Sequence, residues 1–454
     1  MPQSDRPALT VDDLRRQVED GLVDTVLVAF TDMQGRLQGK RLHARYFLDV
    51  VLEHATEGCN YLLAVDVEMT TVEGYAMSSW STGYGDFVMQ PDLSTLRPVP
   101  WNPGTVMALA DLRWEDGSPV VASPRQILVR QTERLAEAGM AAYVGTELEF
   151  LVFRDTYEQA WDAGYRGLTP ANQYNVDYSV LGTARIEPLL RRIRNDMTGA
   201  GLTVESAKGE CNLGQHEIAF LYDEAVRTCD GHAVYKNGAK EIAAQEGMAL
   251  TFMAKFDARE GNSCHIHCSF RGTDGALVLA DGPGLSDVGR SFVAGQLRYM
   301  RELTLLLAPN INSYKRFVEG SFAPTALRWG RDNRTCAFRL VGHGASLRLE
   351  NRIPGGDVNP YLATAAVVAA GLAGIEQRLE LEPAFEGNAY EDPSAEHVPT
   401  SLAEALDLWR GSQFARTTFG DDVVDHYANM AAVELAAFGR AVTDWERFRG
   451  FERL

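Results

Sequence analysis

The chain has no run of apolar residues long enough to cross a membrane as a helix. The most apolar stretch, Ala363 to Ile375, covers about 13 residues, whereas a membrane-spanning helix needs about 20. The first residues, Met1 to Asp13, contain no basic segment followed by an apolar run, so no secretory signal is evident. We therefore expect a cytoplasmic protein that does not bind membranes.

Positive charge and cysteine are also scarce. The 43 lysine and arginine residues are outnumbered by 62 aspartate and glutamate residues, and the formal net charge of −19 argues against nucleic acid as a partner. The 6 cysteines show no framework spacing, so we expect reduced thiols. With 454 residues, of which 45% are apolar, the chain is long enough for two or three globular domains.

The first hundred residues are predicted to form a small separate domain. A short helix is expected over Thr10–Gly21, with Thr10 as its N-cap. An apolar strand at Thr25–Phe30, a turn at Asp32–Arg36 and a following polar strand have the pattern of a hairpin. The proline-rich segment Pro91–Pro103 comes later, and we place a domain boundary near residue 105, which divides the chain into 1–105 and 106–454.

Strands and helices alternate after that boundary. The sequence predicts a helix that begins at Ser123 and Pro124 and stops before Gly139, and a polar loop over Asn310–Asn333. Further helices are predicted at Arg185–Gly199, Asp223–Gln245, Arg290–Leu307 and Pro360–Ile375. Strands that pair non-locally, with helices beside them, indicate an α+β fold.

Three short segments place metal-binding or phosphate-binding side chains two residues apart. They contain Glu147 and Glu149, then His265 and His267, and finally Arg348, Glu350 and Arg352. Because side chains two residues apart on a strand share one face, each segment directs its polar groups to one side. A fourth segment contributes Glu210 and Glu217. The sequence thus predicts a polar pocket floored by a sheet.

The acids and histidines in these segments are of the types that bind divalent cations. Mg²⁺ and Mn²⁺ prefer oxygen ligands with some imidazole, and two such ions with nearby arginines can stabilise a transferring phosphoryl group. The candidate ligands are Glu147, Glu149, Glu210, Glu217, His265 and Glu350. Because the sequence has neither a P-loop nor a kinase glycine loop, metals and arginines would have to hold the phosphates of ATP.

Each segment alone has a simpler interpretation. A pair of glutamates two residues apart is usually a solvated strand face, and the arginine–glutamate segment could be a ladder of ion pairs. The histidines could form a zinc site with Cys264 and Cys268, although on a strand these cysteines point away from the histidines. The presence of all the segments in one chain favours the ATP and metal site.

The same segments resemble those of a known family. GTELEF, KGECNLGQHE, GNSCHIHCS, NSYKRF with DNRTCAFR, and LRLENRIPGGDVNPYL are similar, in this order, to the signatures of the glutamine synthetase family. The resemblance spans nearly the whole chain. It implies a small N-terminal β-grasp domain and a large catalytic domain with a curved antiparallel sheet flanked by helices.

The resemblance also implies roles for individual residues. The first metal site would comprise Glu149, Glu210 and Glu217, and the second Glu147, His265 and Glu350. Nucleotide contacts are implied for Glu205, Tyr222, His267, Ser269, Arg334 and Arg348. Substrate binding and phosphoryl transfer are implied for Gly261, Arg316, Ser321, Phe322, Arg334, Arg339 and Arg352.

The reaction implied by the resemblance begins with phosphorylation of the γ-carboxylate of glutamate by ATP. An amine then attacks the γ-glutamyl phosphate. Two or three Mg²⁺ or Mn²⁺ ions per active site are implied, as is a homo-dodecamer of two stacked hexameric rings with active sites between subunits. Tyr390 lies in a segment where some relatives are adenylylated, although an ordinary surface tyrosine is the commoner case.

The chain departs from the family where ammonia would bind. Phe322 occupies the position of a flap glutamate, and Ala76 or Met77 replaces the aspartate that precedes a Ser-Ser pair. Loss of both acids favours a larger amine, since an aromatic ring can also accept a cationic amine. In this respect the chain is similar to the γ-glutamylethanolamide and γ-glutamylpolyamine synthetases of actinobacterial type. The shortage of acids favours ethanolamine.

Other functions stay open at this point. A polyamine could be bound by Glu319 and Glu73, or ammonia could be used with Glu319 in place of the missing glutamate. A non-catalytic relative would have lost metal ligands. A glycosidase with paired carboxylates would not depend on a nucleotide.

Overall fold

A computed structural model describes residues 9–454, in which two β-sheets are accompanied by helices. Residues 1–8, which belong to the N-terminal segment in which no secretory signal is predicted, lie outside the described residues. Within residues 9–454, no helix combines the length and the apolar character that a membrane crossing requires.

The smaller sheet is formed by the N-terminal part of the chain. Its strands are β1 (Thr25–Thr31), β2 (Leu37–His43), β3 (Thr56–Cys59), β4 (Asp86–Pro91), β5 (Arg97–Pro98) and β6 (Thr105–Arg113). The strand order is β2-β1-β6-β4-β3, and β5 pairs with β6. Strand β1 runs antiparallel to β2 and parallel to β6, so the predicted hairpin is confirmed.

Strand β6 bears on the predicted domain boundary. It begins at Thr105 and pairs with both β1 and β4, so the small sheet continues through Arg113. The division at residue 105 stays a prediction. The residues of β6 are mostly apolar and buried, as expected of a central strand. The proline-rich segment before β6 had suggested that the domain ends there.

The larger sheet occupies the middle of the chain. Its strands are β7 (Met140–Phe153), β8 (Val204–Gly209), β9 (Gln215–Phe220), β10 (Asp223–Glu224), β11 (Ala249–Thr251), β12 (Cys264–Gly272), β15 (Trp329–Arg331), β16 (Phe338–Val341) and β17 (Arg348–Asn351). The order is β15-β16-β17-β12-β7-β9-β8, with β10 and β11 also paired to β7. A separate hairpin joins β13 (Ala280–Asp281) to β14 (Gly284–Leu285).

Neighbouring strands of this sheet are antiparallel, except that β15 and β16 are parallel. Helices pack beside the sheet, since α4 (Pro124–Glu137) and α8 (Ala225–Gln245) both contact β7. The α+β prediction is therefore confirmed. The prediction of a continuous polar loop over Asn310–Asn333 was wrong, since strand β15 lies within it. The strand was not predicted because it is formed by pairing with β16, which lies outside the segment, and so leaves no local pattern in the sequence.

The helices within residues 9–454 agree with most predictions. They are α1 (Val11–Glu19), α2 (Ala44–Tyr46), α3 (Leu52–His54), α4, α5 (Tyr157–Asp162), α6 (Val180–Thr183), α7 (Glu187–Gly199), α8, α9 (Asp287–Tyr299), α10 (Thr304–Leu307), α11 (Pro360–Glu376), α12 (Leu402–Gly411), α13 (Gln413–Phe419), α14 (Asp421–Arg440) and α15 (Asp444–Gly450). The predicted helix at Arg290–Leu307 is instead two helices, α9 and α10, separated by a turn.

Helix starts follow the sequence signals closely. Thr10 caps α1 through a hydrogen bond from the backbone of Asp13 to its side chain, and the Asp13 carboxylate bonds back to Thr10. Helix α4 begins at Pro124 and ends before Gly139. The alanine-rich helix α11 is buried from Pro360 to Gly374 and packs against α9 and α4. It therefore forms much of the core behind the larger sheet.

Candidate active site

The predicted segments lie side by side in the larger sheet. Strand β12 pairs with β7, which sets His265 opposite Glu147, and with β17, which sets His267 opposite Glu350. On its other edge β7 pairs with β9, which sets Glu149 opposite Glu217. The register thus gathers acids and histidines from four strands on one face, as the alternation of side chains predicted.

The first cluster contains carboxylates alone. Oxygen atoms of Glu149, Glu210 and Glu217 lie within 4.8 Å of one another. Glu149 is held in place because its Oε2 accepts hydrogen bonds from the backbone of Ser263 at 2.7 Å and from Gln215 Nε2 at 3.1 Å. Burial and then the charge of a neighbouring glutamate raise the pKa of Glu217 to about 8. A cation would relieve this repulsion.

A lysine ammonium supplies such a cation at the edge of this cluster. Lys208 hydrogen-bonds Glu210, and its Nζ lies 3.7 Å from Glu217 Oε2. The same Nζ lies 5.0 Å from the centre of the Tyr178 ring. The three carboxylates are oxygen donors of the kind that suits Mg²⁺ or Mn²⁺, and the ammonium shows that a cation is stabilised beside them. The residues therefore fit a divalent ion.

The second cluster combines carboxylates and imidazoles. His265 Nδ1 lies 3.2 Å from Glu147 Oε2 and 3.4 Å from Glu350 Oε1. His267 Nε2 lies 2.9 Å from Glu147 Oε1, and potential ligand atoms of Glu147, His267 and Glu350 lie within 4.8 Å of one another. The structure thus places His267 at this cluster as well as His265, the histidine predicted from the sequence.

Charges around the second cluster keep its acids ionised. Burial acts to raise the pKa of Glu147, but hydrogen bonds with His265 and His267 outweigh it, and the pKa lies well below its usual range. Burial also opposes ionisation of Glu350, whose pKa is nevertheless lowered by His265 and Arg352. Nε2 of His265 is buried without a hydrogen-bond partner among the described residues. An ionised, incompletely paired cluster fits a metal ion.

Two of the predicted arginines meet at Glu350, and a third, Arg316, lies against Arg352. Arg339 Nη1 lies 2.9 Å from Glu350 Oε2, and Arg352 forms an ion pair with the other carboxylate oxygen. Arg316 is buried, and its Nη1 and Nη2 donate to Ser263 Oγ and to the carbonyl of Arg352, each at 3.2 Å. These guanidinium groups surround one face of the site with the positive charge that phosphoryl transfer requires.

Arg316 keeps its charge although it is buried. Burial lowers the pKa of the guanidinium to about 10, so the group is still protonated at neutral pH. Its Nε is buried with no partner in the described part of the chain. Arg316 therefore has a donor left for an anionic ligand. Arg334, by contrast, is exposed, and the structure does not bring it into the group around Glu350.

A cavity of about 290 Å³ opens beside the second cluster. Four of the residues predicted to contact the nucleotide line it, namely Tyr222, His267, Ser269 and Arg348. Arg348 Nε lies 3.2 Å from Nδ1 of His267, which connects the cavity to the metal-binding face. Glu205 does not line the cavity and is exposed, at an irregularity in the pairing of β8.

An aromatic residue and an arginine that line this cavity were not predicted from the sequence. Tyr143 and Arg271 both line it, and the Arg271 guanidinium lies 5.2 Å from the centre of the Tyr143 ring. The alternation of side chains could have found them, because Tyr143 shares a strand face with Glu147 and Arg271 shares one with His267.

The flap residues lie next to the arginine cluster. Arg352 Nη2 donates to the carbonyl of Phe322 at 3.2 Å, while the Phe322 ring is 54% exposed. Ser321 Oγ donates to the carbonyl of Val318 at 2.6 Å. Met77 belongs to the small-sheet part of the chain, where Asn60 donates to its carbonyl at 3.1 Å. Of the residues that differ from the family pattern, Phe322 therefore lies beside the active-site arginines of the same chain, whereas Met77, in the described part of the chain, does not hydrogen-bond to them.

The zinc alternative is not supported. Cys264 and Cys268 are buried, and the groups of potential metal ligands found within residues 9–454 include neither. Burial raises the pKa of both thiols, that of Cys264 to about 12, so they stay protonated and act as packing residues. Cys211 lies instead beside Asp177 and Glu210, at the margin of the first cluster.

Comparison with known proteins decides the family. Residues 121–449 match the model of the glutamine synthetase catalytic domain. The chain belongs to the glutamine synthetase family. It is 70% identical to gamma-glutamylethanolamide synthetase GlnA4 of Streptomyces coelicolor, over 100% of this chain and 98% of the relative. It is 37% identical to a glutamate–isopropylamine ligase of a Pseudomonas species, over 96% of each chain.

Solved structures agree with this assignment. A GmaS–ADP complex superposes with a TM-score of 0.85 at 28% identity, covering 97% of this chain and 99% of that chain. Apo GmaS gives the same TM-score of 0.85, over 98% of this chain. As a member of the glutamine synthetase family, the protein is an ATP-dependent carbon–nitrogen ligase that uses divalent metal ions. The family thus has the chemistry that the clustered acids and arginines suggested.

Proposed function

We propose that the protein joins ethanolamine to the γ-carboxyl group of glutamate with the energy of ATP, as a γ-glutamylethanolamide synthetase. The observation that carries this proposal is the 70% identity, over the full chain, to a relative with that name. The replacement of the flap glutamate by Phe322 supports it, because a carboxylate there would suit ammonium better than a substituted amine.

The proposed reaction has two steps, phosphorylation of glutamate and displacement of the phosphate by the amine. A γ-carboxylate oxygen of glutamate attacks the γ-phosphorus of ATP, the bond to the β-phosphate oxygen breaks, and ADP leaves. The nitrogen of the free amine then attacks the carbonyl carbon, phosphate leaves, and the nitrogen loses a proton to solvent. Arg316 binds glutamate through its unpaired Nε, while Arg339 and Arg352 offset the negative charge that builds up on the phosphoryl group.

The two acidic clusters are the proposed metal sites. Glu149, Glu210 and Glu217 hold one ion, and Glu147, His265 and Glu350 hold the other, with His267 beside it. When bound, two or three Mg²⁺ or Mn²⁺ ions neutralise the carboxylate and phosphate charges so that these anions can meet. Lys208 must leave Glu210 when an ion enters the first site.

The cavity beside β12 is the proposed nucleotide site. Tyr143 and Tyr222 offer aromatic faces for a base, and Arg271 and Arg348 offer positive charge. His267 lies at the boundary between this cavity and the second metal cluster. Glu205 and Arg334, which the structure leaves exposed, are expected to reach the nucleotide only if the segments around them close over it.

The contacts of Lys208 suggest how the amine is held. Its ammonium sits between Glu210 and the ring of Tyr178, and protonated ethanolamine carries the same primary ammonium group. With Glu210 occupied by the metal ion, the ring of Tyr178 is proposed to accept the ammonium group of the incoming amine, which gives up a proton to solvent before its nitrogen attacks, with Phe322 covering it. Tyr178 is exposed and was not singled out in the sequence.

The proposed assembly is a dodecamer of two hexameric rings in the cytoplasm, with each active site completed by a neighbouring subunit. Exposed apolar residues in the C-terminal helix and directly after it support an association of subunits, since monomers rarely leave clustered apolar residues in water. They are Trp445, Phe448 and Phe451, which are 68%, 73% and 93% exposed. Residues near Met77, in the small-sheet part, are the segment expected to reach a neighbour's site.

The proposal is tested by a panel of amines. ATP consumption and product mass are measured with glutamate and, in turn, ethanolamine, putrescine, spermidine, methylamine and ammonia. Ethanolamine should have the highest kcat/KM. Ammonia as the best substrate would contradict the proposal, and putrescine or spermidine would establish a polyamine ligase instead.

A matched pair of variants tests the role of the flap. Phe322→Glu restores the carboxylate and should gain activity with ammonia while losing activity with ethanolamine. Phe322→Leu removes the ring without adding charge and should not gain ammonia activity. Equal ammonia activity in the two variants would show that charge at residue 322 does not select the amine.

A further inference from the structure

The flap carrying Phe322 is held at two consecutive carbonyl groups. Arg352 Nη2 donates to the carbonyl of Phe322 at 3.2 Å, and the Tyr390 hydroxyl donates to the carbonyl of Ala323 at 3.0 Å. The first contact leads directly to the metal site, because Arg352 also pairs with Glu350. The second comes from a segment far along the chain that otherwise takes no part in the reaction.

The backbone of the flap needs such support. Phe322 has a φ of +59°, in the left-handed region that non-glycine residues rarely adopt. Its ring is 54% exposed, so side-chain packing does little to hold that conformation. A strained backbone persists only where surrounding contacts impose it, and the two carbonyl contacts lie at this residue and the next. They hold the flap backbone at the residue that carries the Phe322 ring.

Tyr390 is well fixed for this purpose. Its backbone amide is capped by the side chain of Asn388 at 3.2 Å, and the neighbouring amide of Ala389 donates to Thr335 Oγ1 at 2.9 Å. Burial raises the pKa of the Tyr390 hydroxyl, which therefore stays protonated and able to donate.

The base of the flap is anchored without Tyr390. The amide of Leu327 donates to the carbonyl of Glu396 at 2.7 Å, and the amide of Val398 donates to the carbonyl of Thr325 at 3.1 Å. Removing the Tyr390 hydroxyl should therefore loosen the tip of the flap and leave its attachment to the fold intact.

We propose that Tyr390 is a positioning residue whose hydroxyl holds the flap tip over the γ-glutamyl phosphate, so that Phe322 admits the amine and excludes water. This inference rests on the proposed amine ligase function. With a loosened flap, water would attack the acyl carbon in place of the amine, the bond to phosphate would break, and glutamate would be regenerated. The visible result would be ATP hydrolysis without amide formation.

The test compares Tyr390→Phe, which removes one hydroxyl, with the wild-type enzyme. ADP and γ-glutamyl amide are quantified with glutamate and ethanolamine, and ADP is also measured without amine. We expect the amine KM to rise about 2- to 10-fold, the effect of one lost hydrogen bond, and the amide formed per ADP to fall. The KM for ATP and the KM for glutamate should stay unchanged.

Tyr46→Phe is the control, because Tyr46 is 52% exposed and belongs to α2, in the small-sheet part of the chain. It should behave as wild type. Melting temperatures of both variants check that they fold. An unchanged amine KM and an unchanged ratio of amide to ADP in Tyr390→Phe would overturn the inference, and so would a uniform loss of affinity for all three substrates.

The outcome separates the two proposals. If wild-type enzyme prefers ammonia to ethanolamine, the proposed amine is wrong, but the ratio of amide to ADP with ammonia still tests Tyr390. If wild-type enzyme couples ATP to ethanolamine fully and Tyr390→Phe does so too, the proposed function stands and the role of Tyr390 is refuted.

Discussion

Gly261 lies directly against Arg316. A β-carbon built at residue 261 would lie 2.8 Å from Cγ of Arg316 and 2.2 Å from the carbonyl oxygen of Ala254. Neither approach is possible for a real β-carbon, and the Ala254 oxygen is backbone that cannot move aside. The resemblance to the glutamine synthetase family implied a substrate-binding role for Gly261. The structure adds that only glycine at this position lets the buried guanidinium of Arg316 lie where it does.

Gly261→Ala should therefore displace Arg316. We expect the KM for glutamate to rise about tenfold or more, since small displacements of a positioning group are costly, while ATP affinity changes less. Steady-state kinetics with each substrate varied in turn measure the effect. Gly411→Ala is the control, because no atom lies within 4 Å of a β-carbon there. Equal glutamate KM values in the two variants would contradict the packing argument.

Glu149 is expected to be essential for metal binding at the first cluster. Glu149→Gln keeps the shape of the side chain and removes one charge from a group of three carboxylates. The Mn²⁺ affinity should fall at least about 100-fold, and turnover should fall with it. Calorimetric titration with Mn²⁺ measures this directly, and a chelator should abolish turnover by the wild type. Glu137→Gln, at the exposed end of α4, should bind Mn²⁺ as wild type does.

Arg125 of α4 joins the small-sheet part of the chain to helix α8 through buried and partly buried ion pairs. Its guanidinium lies 2.7 Å from Asp92, 2.6 Å from Asp111 and 3.0 Å from Asp230. Arg125→Met leaves these carboxylates without their cation and should cost about 3–5 kcal/mol of stability, as the loss of one partner from a buried pair does. Thermal unfolding measures the loss. Arg15→Met, on the exposed face of α1, should unfold at the wild-type temperature.

His426 should make the protein less stable in mild acid. Burial lowers its pKa from 6.5 to about 4, and it lies against Met33, with Nε2 3.0 Å from the sulfur. Below pH 6.5 this histidine is protonated in the unfolded chain but stays neutral in the folded protein. The free energy of unfolding is therefore unaffected above pH 6.5 and falls as the pH is lowered towards 4. The cost should reach about 2 kcal/mol between pH 7 and pH 5.

The pH dependence of melting temperature tests this prediction. His426→Asn should lose less stability than wild type between pH 7 and pH 5, because it lacks the buried group. His54→Gln, which replaces an exposed histidine, should follow the wild-type curve. Parallel curves for wild type and His426→Asn would show that this histidine does not contribute to the acid sensitivity.

Local features were the most predictable from sequence. The capping of α1 by Thr10 and the start of α4 at Pro124 depend on neighbours within one turn, and both were found correctly. The turn between α9 and α10 was missed, because the apolar pattern continues through it. Strand β15 was missed because its own sequence has no strand pattern, and it is a strand only through its hydrogen bonds with β16.

The candidate site shows the same division. The alternation of side chains indicated that Glu147 and Glu149 share a face, and it could also have indicated Tyr143 and Arg271. It could not indicate that Lys208 holds Glu210 beside the ring of Tyr178, because that contact joins a strand to a separate loop.

The chemical groups of the site, their order and the strand faces that they share follow from local sequence, because alternation along a strand is a property of neighbouring residues. The position of His265 opposite Glu147, and the contact between the Tyr390 hydroxyl and the carbonyl of Ala323, arise only when the chain has folded. Both contacts join residues that are far apart in the chain. Their pairing is imposed by the register of the sheet and by the packing of loops on the fold, and neither leaves a local signal in the sequence.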